Sequence, residues 1–190
     1  MKKVEFVYRN ILYQVMENRN KTMTQLELSK SLNISLSTVN HALTPLKRMG
    51  AIRIKLRSFE VVDGKKILLY WASVRNLEKD IIYKTRVDKM VIDIEKNMPN
   101  DIIFGAYSAY KFKFEKMPAD YSEVFVYGNN LEEIKKRFPE NKNVPNLFVL
   151  KKDFNDMTLA NLFVDLWNLK EWYAKEFLKN LEEDIYGLLA

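Results

Sequence analysis

The 190-residue chain has no cysteine and a single histidine, His41. The first absence excludes a disulfide framework and any thiolate metal site, and the second excludes a multi-histidine metal centre. No apolar run approaches the ~20 residues that a bilayer span requires. The opening MKKVEFVYRN goes straight into mixed charged and apolar residues. It has neither the uncharged core nor the small-residue cleavage site of a secretory signal. Glycine and proline are sparse, five of each, and no Gly/Ser- or Pro-rich linker, internal repeat or low-complexity tract interrupts the chain. Phosphate-binding patterns are missing as well. Gly64-Lys65-Lys66 lacks the upstream glycine and the Ser/Thr of a P-loop, and there is no GxGxxG. These absences lead to the expectation of a soluble cytoplasmic protein with no membrane association, metal or cofactor. What is present argues for a packed core: 47% of residues are hydrophobic and 29% charged, which excludes disorder. The length allows one generous domain or two small ones.

The charge is unevenly spread. Residues 1–86 hold 17 Lys and Arg against 7 Asp and Glu, whereas residues 87–190 hold 14 against 18. Such asymmetry suggests a cationic half that meets a polyanion and a second half with other work.

Within the cationic half, Val4, Val7, Tyr8, Ile11, Leu12, Val15 and Met16 recur at the spacing of one helical face, predicting a helix from about Lys3 to Asn18. Thr24 with Glu27 three residues later forms a capping-box pattern opening a second helix that buries Leu26, Leu28 and Leu32. Asn33 is the expected turn. Ser35 caps a third helix through Val39, Ala42, Leu43 and Leu46 to a stop at Gly50, with Pro45 expected to bend its last turn. Two short helices joined by a tight turn form a helix-turn-helix. The run Ser35, Ser37, Thr38, Val39, Leu43, Leu46 and Gly50 resembles the winged helix-turn-helix family. Ile52, Ile54 and Leu56 then alternate with Arg53, Lys55 and Arg57, the pattern of a half-buried strand with a cationic outer face. Phe59, Val61 and Val62 supply the return strand, with the wing tip near Arg57-Ser58. Asp63-Gly64 reads either as a hairpin turn into a strand KILLYW or as the cap of a helix through Ile67, Leu68, Trp71 and Val74, the second being preferred for its continuing apolar spacing.

This frame selects DNA-binding candidates. Ser35, Ser37, Thr38, Asn40, His41 and Thr44 are short polar side chains on the third helix able to face base edges. Asn40 suits a bidentate contact to adenine, and His41 a contact to guanine or phosphate. Lys47, Arg48, Arg53, Lys55 and Arg57 are the phosphate candidates. With double-stranded DNA as partner, a serine-protease-like triad is excluded, because the one histidine lies on the reading helix.

The second half reads as α+β. Strands are expected at Asp80–Val87, Ile102–Phe104, Ser122–Tyr127 and Asn146–Leu150. Helices are expected at Asp88–Asn97 with Met90, Val91 and Ile94 inward, after Gly105, at Leu131–Phe138, and as a final pair near Thr158–Trp167 and Lys170–Leu188. Trp172, Tyr173, Glu176, Phe177, Asn180 and Leu181 trace a stripe of the last helix, with some polar members, that is expected to pack inward. Minimal nucleotidyltransferases place a Gly-Gly or Gly-Ser turn after their first strand and two carboxylates one residue apart on the next. Here the turn reads IIFGAYSAY, and the carboxylate positions fall at Tyr121 and Glu123. Asp120 has the wrong parity to share a face with Glu123. One carboxylate cannot build a two-metal site, so no enzymatic activity and no catalytic residue is expected.

A winged helix followed by a catalytically empty nucleotidyltransferase-like domain resembles the AbiEi family, on GAIRIKLRSFEVVD, LLYWA, FGAYSAY and LANLFVDLWNLKEWYAKEFL. The resemblance implies an antitoxin and transcriptional autorepressor of a type IV toxin–antitoxin system, with a nucleotidyltransferase toxin encoded nearby as partner and room for a homodimer. It implies a winged helix-turn-helix domain at residues 1–78 and a nucleotidyltransferase-like domain at 79–190 ending in two helices. Two other classes compete: a DNA-targeted active nucleotidyltransferase and a protein-only adaptor.

Overall fold

The computed structural model describes residues 1–189. They form two compact units in place of a single cut between 78 and 79. The first unit takes residues 1–75, 158–164 and the chain from 181 on, and the second takes 76–157 and 165–180.

In the first unit, helix α1 (Lys3–Met16) buries Val7, Tyr8, Ile11, Leu12, Val15 and Met16. A two-residue strand β1 (Thr22–Met23) follows, which periodicity did not foresee. Thr24 then caps α2 (Gln25–Ser31): its hydroxyl accepts from the Glu27 amide at 3.1 Å, and the Glu27 carboxylate accepts from the Thr24 amide at 3.0 Å. Asn33 takes a left-handed φ of 51°, letting the chain reverse into α3 (Leu36–Arg48). This helix buries Val39, Ala42, Leu43 and Leu46 and is closed by Gly50 at φ +69°. Pro45 removes one backbone donor but does not end the helix, which runs on to Arg48.

Strands β2 (Ile52–Ile54) and β3 (Phe59–Val61) pair antiparallel, and β1 adds to the far side of β3. The alternation expected for β2 holds only at its start. Ile52 is buried, but Ile54 is 44% and Leu56 97% exposed: β2 is an outer strand of this sheet, whereas Phe59, opposite Ile54 on the central strand β3, is buried. Leu26, expected buried, is also exposed, because it lies off the α2 face that buries Leu28. Asp63 is a helix cap, its carboxylate accepting from the Lys66 amide at 3.0 Å, so the hairpin alternative is set aside in favour of α4 (Gly64–Val74). Ile67, Leu68, Trp71 and Ala72 of α4 are buried. Beside them Glu5 meets Arg75 at 3.3 Å and accepts from the Trp71 indole at 3.3 Å, with both charged side chains almost fully enclosed.

In the second unit, β4 (Ile81–Thr85), α5 (Val91–Lys96), β5 (Ile103–Phe104), α6 (Ala106–Phe114), β6 (Val124–Gly128), α7 (Leu131–Arg137) and β7 (Leu147–Lys151) build a sheet of order β4-β7-β6-β5. The central pair β6–β7 is parallel, with α7 as crossover, and the two outer pairs are antiparallel. One face packs Tyr83, Ile94, Met98, Val124, Val126, Ile134, Phe138, Leu147 and Val149. On the other, Phe125 stacks on Phe148 at 4.8 Å, and Tyr107 meets Phe125, Tyr173 and Phe177. Met90 and Trp172, expected inward, are exposed: Met90 caps α5 from outside, and Trp172 precedes the start of the last helix. The chain closes with α8 (Leu159–Trp167) and α9 (Ala174–Ile185), each shared between the two units.

Candidate nucleic-acid interface

Because Val39, Ala42, Leu43 and Leu46 turn one side of α3 into the core, the 100° step between residues carries Ser37, Asn40, His41, Thr44, Lys47 and Arg48 to the opposite side. All six are exposed. The sequence-selected residues nevertheless do different work. Ser35 is the N-cap, its hydroxyl accepting from the Thr38 amide at 3.1 Å, and the Thr38 hydroxyl lies 2.9 Å from it. This pair closes the N-terminus of α3, so its hydroxyls are engaged before any ligand arrives. Thr44 donates to the Asn40 carbonyl at 2.9 Å, which leaves its methyl group and acceptor capacity outward. Asn40, whose amide has no partner of its own among the described hydrogen bonds, is the side chain best placed for bidentate reading.

Two recesses flank this face. Asn40, Thr44, Lys47 and Arg48 share one of about 480 Å³ with Gln25 of α2 and Ile54 of β2. His41, Thr44 and Arg48 line another, of about 500 Å³, against Lys2, Tyr8 and Tyr70. Burial, then the neighbouring Tyr70 and Glu5, pushes the Tyr8 phenol well above its ordinary pKa, so it stays protonated at physiological pH. Gln25 was not among the sequence candidates. Its place directly after the Thr24 cap is the signal that marks it, since the first helix of the motif meets the reading helix there.

The wing is less free than its sequence implies. Register sets Arg53 opposite Glu60, whose carboxylate lies 3.0 Å from the Lys55 ammonium and 4.0 Å from the Arg53 guanidinium. The hydrogen bond from Lys55 and its charge, with Arg53 and Lys21 adding, hold the Glu60 carboxyl below the usual range. Two of the three wing cations therefore already face an anion. Arg57, at the tip, has no ion pair among the described residues.

The two positions in the second unit where a carboxylate pair would stand are occupied differently. Tyr121 is buried and donates to Glu95 at 2.6 Å, and Lys111 reaches the other Glu95 oxygen at 2.6 Å. Burial, then that hydrogen bond, raises the Tyr121 phenol. Glu123 accepts from the Tyr173 hydroxyl. Both precede β6, which begins two residues later than expected.

Helix-turn-helix and wing together make the first unit a winged helix-turn-helix. Residues 9–53 match the family described as winged helix-turn-helix DNA-binding. No curated protein and no solved structure matched the chain. The chain thus carries the domain of a DNA-binding regulator, and among the described residues no helix is long and apolar enough to cross a membrane.

Proposed function

We propose that the chain is a sequence-specific transcriptional regulator acting in the cytoplasm, the antitoxin and autorepressor of an AbiEi-type toxin–antitoxin pair. One observation carries the DNA reading: the solvent face of α3 is built from Ser37, Asn40, His41, Thr44, Lys47 and Arg48, inside a matched DNA-binding domain. In the major groove, Asn40 pairs with the N6 and N7 edge of adenine while Lys47 and Arg48 meet flanking phosphates. Occupying an operator in this way excludes polymerase from the promoter. Charge supports the same division of labour, since residues 1–75 hold 14 Lys and Arg against 5 Asp and Glu.

The finer reading is supported by the second unit. Its β5, the Gly105 turn, α6 and β6 follow in the order strand, turn, helix and strand that a minimal nucleotidyltransferase is expected to have. At the Gly105-Ala106 turn, Ala106 takes φ 45°, a left-handed conformation better suited to glycine, and a Cβ at Gly105 would meet the Tyr127 ring at 3.1 Å. Such a turn is kept here without a carboxylate pair: Tyr121 stands at one of the two positions, hydrogen-bonded to Glu95, and Glu123 at the other accepts from the Tyr173 hydroxyl. This favours a framework without transfer chemistry over an active nucleotidyltransferase. A toxin encoded nearby and a second copy of the chain are the protein partners this reading assigns.

The test is a titration of duplex DNA at several salt concentrations. About five phosphate contacts give a log–log slope of roughly −4 to −5. A flat response rejects DNA binding and leaves the protein-only adaptor.

A further inference from the structure

Among the described residues Leu56 is the most exposed large apolar side chain, at 97%. It stands at the apex of the wing between Lys55 and Arg57. The turn beneath it is short and tied: the Lys55 amide donates to the Ser58 carbonyl at 2.8 Å, and the Lys55 ammonium is held by Glu60 at 3.0 Å. Two residues earlier, the half-exposed Ile54 lines the recess that Asn40, Thr44 and Lys47 share. Apolar side chains at 52, 54 and 56 thus run from the core, past the reading helix, to the tip. A lone exposed leucine needs no explanation. This one crowns a cationic projection of a DNA-binding domain, where Ser, Asn or Lys would be better solvated.

We infer that Leu56 is a wedge for the minor groove of the DNA, an inference that rests on the DNA-binding reading above. The minor groove is about 6 Å wide, enough for one side chain at a hairpin tip and too narrow for a helix. Its walls are phosphates and its floor is stacked bases. An apolar knob with a cation on either side matches that profile: Lys55 and Arg57 meet the walls while Leu56 presses on the stack. An inserted leucine partly unstacks one base step and kinks the duplex, at least cost where the step is TA or CA/TG. The regulator therefore reads a flexible step beside the segment contacted by α3, at a position no hydrogen-bonding side chain touches.

Selection of duplexes from a random pool tests this without knowledge of the operator. The wild-type chain should enrich a core motif plus a TA or CA/TG step at a fixed distance from it. Leu56→Ala and Leu56→Gln should enrich the same core and lose the flanking step. On the wild-type-selected duplex, each should bind roughly tenfold more weakly, the size of one mismatched base pair. A 2-aminopurine placed at the flanking step should brighten with wild type and stay quenched with both variants. Core enrichment without a flanking step, or brightening that survives in Leu56→Ala, overturns the wedge and leaves DNA reading intact. No enrichment of any duplex by the wild-type chain overturns both. If the variants instead change only the oligomeric mass of the free protein, the tip serves a second copy and the wedge is wrong.

Discussion

Replacing Glu60 by Gln asks whether the wing's cations are held in reserve for phosphate. Glu60 lies opposite Arg53 in register, 3.0 Å from Lys55 and 4.0 Å from Arg53. Its carboxyl is held below the usual range, so at neutral pH it is ionised and offsets one wing charge. Arg53 is 69% and Lys55 46% exposed at the side chain, so water screens these pairs and the fold should barely notice their loss. DNA should notice. Each cation freed to neutralise one more phosphate steepens the salt slope by about 0.9. A fourfold rise in salt then weakens the variant roughly 3.5-fold more than the wild type. Fluorescence anisotropy on random-sequence duplex should show Glu60→Gln tighter at low salt, steeper in slope, and approaching wild type as salt rises. Acidification should have the same effect. A depressed folded-state pKa means the Glu60 contact is present above the ordinary carboxylate value of about 4.3 and is lost as pH falls through the lowered value. An unchanged slope would mean that the wing cations do not meet phosphate. A loss of affinity would mean that Glu60 orders the wing for binding.

Glu5→Ala should lower unfolding stability by about 3–5 kcal/mol in urea, because Arg75 loses its enclosed counter-ion, and a loss under about 1 kcal/mol would show that water reaches the pair. Incubation with magnesium and labelled nucleoside triphosphates should label nothing, since Tyr121 stands where a second carboxylate would be needed and Tyr173 occupies Glu123. Label transferred by the wild type and lost in Glu123→Gln would refute the reading of the second unit.

Local chemistry made much of the first unit legible. Thr24 with Glu27, Ser35, Asn33 and Gly50 each act through their own backbone neighbours, so their spacing predicts caps and turns, whereas Asp63 needed the apolar spacing beyond it to favour a cap over a hairpin turn. Alternation over Ile52, Ile54 and Leu56 predicted pleat but not burial, because burial depends on what covers each position: β2 is an outer strand and Leu56 sits at the tip, while Phe59 and Val61 on the central strand β3 are buried. The strand Thr22–Met23 escaped notice since two residues carry no period; only its pairing with β3 defines it. At the interface, residue type found the exposed polar face of α3. It could not show that the Ser35 and Thr38 hydroxyls are spent on the helix start, or that Glu60 sits between Arg53 and Lys55. Those facts come from registers and distances. In the second unit, Tyr121 and Glu123 were located as the telling positions, while their partners Glu95, Lys111 and Tyr173, up to 50 residues away, were beyond any local pattern.

The central claim is that α3 reads sequence, and Asn40→Ala tests it most directly. Binding should be measured side by side on a duplex selected by the wild-type chain and on random duplex, at fixed salt. Asn40 is exposed on the outer face and sits on the helix, so its loss should leave the fold unchanged. The selected duplex should lose about 1–3 kcal/mol of affinity while random duplex is bound as before. Equal weakening on both duplexes, or none on either, would contradict the assignment of α3 as the reading helix.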